Sequence, residues 1–63
     1  MLIFDLQKGH TVQVRVAKGR LRIFNVTNIC KLTNTVTVKR NVLGGGHLTF
    51  RYNVKQIEKI LAN

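Results

Sequence analysis

Acidic side chains are almost missing from this chain. Asp5 and Glu58 are the only two, against 11 lysines and arginines, which leaves a formal charge of +9 on 63 residues. An ordinary solvated surface mixes both signs, so this imbalance favours a polyanionic partner, whose encounter it would also speed, over a polar face that merely keeps the sheet soluble. The two carboxylates stand at opposite ends of the chain and make a poor acid–base pair. Cysteine is single (Cys30), so no intrachain disulfide can form, and a free thiol fits a reducing interior.

Metal-ligand spacing is also lacking. His10, His47, Cys30, Asp5 and Glu58 are the only plausible ligands, and no two stand as C-x-x-C or H-x-x-x-H. No metal and no cofactor are therefore expected. Cys30 with His47 as nucleophile and base would lack a third group to orient the imidazole. A chain this short also has little volume for a reaction cleft, so an enzyme is not expected. Phe24 is the only aromatic that could face outward, which argues against a stacking platform of the RNA-recognition type. No apolar run approaches the roughly 20 residues of a membrane span. The first ten residues, broken by Asp5 and Lys8, do not read as a signal peptide. The Asn25-Val26-Thr27 triplet carries no weight as a glycosylation acceptor without a secretion signal. No membrane partner is expected, and the cytoplasm is the expected location.

At 63 residues the chain reads as one domain, 1–63. A body this small buries only about 60% of its unfolded surface. With no disulfide or metal to staple it, a homodimer is a natural supplement. A hydrophobic fraction of 44% separates it from disordered basic tails.

What the sequence does contain is alternation. Thr11 to Ala17 reads TVQVRVA, with Val12, Val14 and Val16 on one parity and Thr11, Gln13 and Arg15 on the other. On a strand this gives one apolar and one polar face. Strands are expected at 2–6, 11–17, 20–27, 35–42 and 47–52, separated by the Lys8-Gly9 and Lys18-Gly19 turns, Thr33-Asn34 and the triple glycine Gly44–Gly46. The triple glycine should form a mobile loop. In the third stretch Leu21 and Ile23 are assigned inward and Arg22 outward. Phe24 then has two readings: outward, where it is the candidate for base stacking, or inward with Val26 through a β-bulge near Phe24 or Asn25, which is favoured. From Val54 the period changes. Val54, Ile57, Ile60 and Leu61 fall on one helical face, Asn53 suits an N-cap, and Gln56 completes a capping-box spacing. A helix over about 54–61 is expected. The fold class is mainly β: a small five-stranded antiparallel SH3-like barrel or strongly bent sheet with a short C-terminal α-helix.

The polar parity carries Arg15, Arg22, Lys39 and Arg51, one per strand. Thr37, His47 and Thr49 lie among them, and Lys18, Arg20 and Arg40 extend the set around the rim. Neighbouring strands would hold these cations about 5–10 Å apart, a spacing suited to phosphates, with threonines adding donors. With its charge, its Lys-Gly turns and the ending Val54-Lys55-Gln56-Ile57-Glu58-Lys59-Ile60-Leu61, the layout resembles the small basic SH3-like barrels that coat archaeal DNA. The start Met1-Leu2-Ile3 and the strand-then-helix order are similar to those of small dimeric RNA-binding carbon-storage regulators. Both resemblances imply a nucleic-acid partner. The expected function is a nucleic-acid-binding module, duplex DNA favoured over RNA, that binds mainly phosphates. The alternatives are a small regulator or inhibitor docking on an acidic protein surface, or an RNA-binding regulator.

Overall fold

Valine alternation sets the frame. A computed structural model describes residues 6–62. In it Val12 and Val14 of β1 (Thr11–Arg15) and Val36 and Val38 of β3 (Thr35–Asn41) are the most deeply buried side chains. Between them lies β2 (Leu21–Cys30); β4 (His47–Asn53) and β5 (Ile57–Ala62) complete one antiparallel sheet in the order β4-β3-β2-β1-β5. Consecutive strands are neighbours except at the end, where β5 returns to pair with β1. The sheet is not closed, and β4 and β5 are its edges among the described residues. The molecule measures 34 × 25 × 21 Å, whereas a flat single sheet would be only about 10 Å thick. The sheet therefore bends around its own apolar face, where Leu6, Phe24, Val26, Val54 and Ile57 join the four valines.

The expected strand at 2–6 lies outside the described residues but for Leu6, which is buried and not in a strand. The expected C-terminal helix is replaced by a 3₁₀ turn, Val54–Gln56, and by β5. The cap reading survives at the turn. Asn53 Oδ1 accepts from the Lys55 N–H at 2.9 Å, and Gln56 Oε1 accepts from the Asn53 N–H at 3.2 Å. Beyond Gln56 the chain forms a strand because β1 offers a free edge, while an isolated helix of about eight residues is unstable in water. The helical spacing of Val54, Ile57 and Ile60 has its own explanation. Ile57 pairs with Val14, Lys59 with Gln13, Ile60 with Val12 and Ala62 with Thr11, so Glu58 and Leu61 are extra residues at two register shifts. A bulged strand advances three residues where a regular one advances two, and this mimics a helix in the sequence.

In β2 the irregularity also differs from expectation. It lies between Val26 and Asn28, not at Phe24 or Asn25. Thr27 is the extra residue, and its hydroxyl donates to the Thr37 carbonyl at 3.1 Å. Placing the bulge there keeps Arg22, Phe24 and Val26 on the core parity and sends Leu21 and Ile23 out, 45% and 58% exposed. The ring of Phe24 decides the register. It is 3% exposed and packs on Phe50 at 5.5 Å and Tyr52 at 5.7 Å between ring centroids. Arg22 accepts the inner parity because it stands near the end of β2, where its side chain is exposed.

Tight turns shape the ends. Lys18 and Gly19 both have positive φ, 62° and 73°, in the 3₁₀ turn Ala17–Gly19, a backbone that favours glycine at its second position. The Val16 N–H donates to the Arg20 carbonyl across it at 2.7 Å. His10 is 8% exposed, and its Nδ1 accepts from the Gln7 N–H at 3.2 Å, a structural use of that ring. Among the described residues no helix is long and apolar enough to cross a membrane.

Candidate nucleic-acid interface

Strand pairing sorts the cations onto two faces. On the outer face Arg15 stands opposite Leu21, Lys39 between Asn25 and Thr49, and Arg51 opposite Thr37. His47 and Asn41 pair on the same parity. Arg15, Thr37, Lys39, His47, Thr49 and Arg51 therefore share this surface, as their alternation implies. Two features make it less uniform than expected. The Arg15 guanidinium donates to the Glu58 carboxylate and the Gly19 carbonyl, so its charge is neutralised. Leu21 and Ile23 also run through the face as an apolar strip.

Arg22 is not on the outer face. It pairs with Val14 on the core parity and projects at the end of the sheet. Arg40 is on that side too, opposite Leu48 and one step beyond Val38. The turn after β1 brings Lys18 and Arg20 to the same end. These four cations surround two cavities that share Val16 and Arg22. The larger, about 310 Å³, is lined by Val16, Ala17, Lys18, Arg20 and Arg22. The smaller, about 140 Å³, is lined by Val16, Arg22, Phe24, Arg40, Phe50 and Tyr52. Among the described residues no acidic side chain lines either cavity, and none makes an ion pair with these four cations.

The aromatic cluster is a product of strand geometry. Phe50 and Tyr52 are two apart on β4 and so point to one side, opposite Val38 and Val36 of β3. Their rings lie 21° from parallel with centroids 6.0 Å apart. Phe24 backs both. Its burial leaves no open face for a base, so the stacking role considered for Phe24 does not fit its position. Of the three rings that line the smaller cavity, Phe50 and Tyr52 are half-buried and so more open to it than Phe24.

Strand parity alone does not reveal this cleft, because it makes Leu48, Phe50 and Tyr52 core residues and turns Arg22 outward. The signal that could have found it is the pairing of two inward aromatics on β4 with arginines at the ends of β2 and β3. No family model, curated protein or solved structure matches the chain. The functional reading therefore comes from the site itself.

Proposed function

We propose that this protein is a nucleic-acid-binding module that neutralises phosphates with Lys18, Arg20, Arg22 and Arg40 around the cleft and with Lys39 and Arg51 on the outer face. One observation carries the reading: four cations converge on adjoining cavities that, among the described residues, no acidic side chain lines. Held together in this way they repel one another, and a polyanion relieves that repulsion while releasing its own counterions. Lys39 and Arg51 are diagonal neighbours on paired strands, about 7–8 Å apart at the backbone, within reach of adjacent phosphates. Duplex DNA suits this outer pair, which asks only for a regular run of phosphates.

Titrating labelled random-sequence duplex and single-stranded oligonucleotides at two salt concentrations tests the proposal. Binding should weaken steeply as salt rises. Absence of binding at low salt removes the proposal. The alternative, a regulator docking on an acidic protein, draws its support from the exposed Leu21–Ile23 strip beside Arg15 and Gln13, since apolar residues rimmed by charge suit a protein interface. It predicts no oligonucleotide binding.

A further inference from the structure

We infer that the cleft bordered by Phe50 and Tyr52 receives one unpaired nucleobase, while Arg22 and Arg40 hold the flanking phosphates. This rests on the proposed nucleic-acid function and specifies the ligand of the cleft as single-stranded.

Four features point the same way. The rings of Phe50 and Tyr52 are nearly parallel and border a cavity of about 140 Å³. That volume is room for one planar aromatic ring. The walls are apolar and aromatic, which suits a base face, and sequence-tolerant stacking on such rings is the usual mode for single strands. The mouth is marked by two guanidiniums, Arg22 and Arg40, which suit phosphate oxygens bidentately and can also stack. Beside it, the 310 Å³ cavity with Lys18 and Arg20 gives the backbone of the same strand a cationic path onward. A duplex keeps its bases stacked inward and can offer this cleft nothing but phosphate. An acidic peptide would meet the arginines but leave the aromatic walls without a planar partner.

Tyr52 is the only tyrosine and tryptophan is absent, so its ring resonances report on the cleft without ambiguity. Wild-type protein is titrated with hexathymidylate, with an abasic hexamer of the same backbone, with a short duplex and with a hexaglutamate peptide. Hexathymidylate should bind about 5- to 150-fold more tightly than the abasic strand, in line with the measured worth of one stacked base, and should shift the Tyr52 ring resonances. Tyr52→Leu and Phe50→Leu should abolish that preference while leaving affinity for the abasic strand unchanged. Equal affinity for the two single strands with an unmoved Tyr52 ring overturns the inference and leaves phosphate binding standing. So does a duplex that shifts the Tyr52 ring resonances as far as hexathymidylate does. Hexaglutamate binding as tightly as hexathymidylate also overturns it, by reducing the cleft to a cationic patch. Failure of all three nucleic acids to bind overturns the inference and the proposed function together. The wild-type titration decides the matter even if a cleft variant does not fold.

Discussion

Replacing Phe24 by Ala removes the ring on which Phe50 and Tyr52 both pack, and truncations of this kind cost about 3–5 kcal/mol. In a domain of 63 residues that is most or all of the stability. The adjacent change Ile23→Ala acts on a side chain 58% exposed and should cost no more than about 0.5 kcal/mol. Urea denaturation of the two variants tests the register of β2 directly, because sending Phe24 outward and Ile23 inward would reverse their order. Cys30 offers a second residue-level test. It is exposed, and hydrogen bonding from the Thr33 side chain, followed by its backbone, holds the thiol below its ordinary pKa. A lowered pKa favours the thiolate in the folded state. Near neutral pH Cys30 should therefore alkylate faster in native protein than in urea, and Thr33→Ala should slow the native rate. The difference should fade as pH rises past the unfolded thiol's value, where both states are ionised. The stabilising linkage is fully present there and is lost as pH falls through the lowered value.

At the scale of elements, β5 is the part whose origin is least obvious. Its backbone secondary shifts over Ile57–Ala62 should be of β type, with close contacts between the Val14 and Ile57 backbones, where an α-helix would give the opposite shifts. Asn53→Ala, which removes the acceptor for the Lys55 N–H, should cost about 1 kcal/mol in denaturation. These elements also show how far the sequence is legible. Alternation locates a strand wherever the ladder is regular. The strand cores at Thr11–Arg15, Thr35–Asn41 and His47–Asn53 sit where their period of two places them, and the valines of the first two face inward. Legibility ends at the bulges. At Thr27 one extra residue shifts parity, and nothing local marks which residue is extra. The burial of one aromatic ring against β4, a long-range fact, decides it. In β5 two extra residues turn a strand into a period of three, and the capping signals of Asn53 and Gln56, though real, fit a 3₁₀ turn as well as a helix. The candidate site follows the same division. The outer-face cations Arg15, Lys39 and Arg51 are legible from parity. The cleft, which depends on the position of the bulge, is not.

For the whole molecule, charge outweighs every other feature. The described residues contain one acid, Glu58, and it is engaged by Arg15. Six of the other ten cations lie on two surfaces on opposite sides of a bent sheet, the outer pair Lys39 and Arg51 and the cluster of Lys18, Arg20, Arg22 and Arg40 around the cleft. Their separation makes the central claim testable by comparison. The decisive measurement is the slope of log affinity against log salt for a single-stranded oligonucleotide, in wild type, in Arg22→Ala/Arg40→Ala and in Lys39→Ala/Arg51→Ala. At about 0.7 per phosphate contact on a single strand, loss of the cleft arginines should lower the slope's magnitude by about 1.4, while loss of the outer pair leaves it near the wild-type value. A slope unchanged by the cleft substitutions would contradict the account.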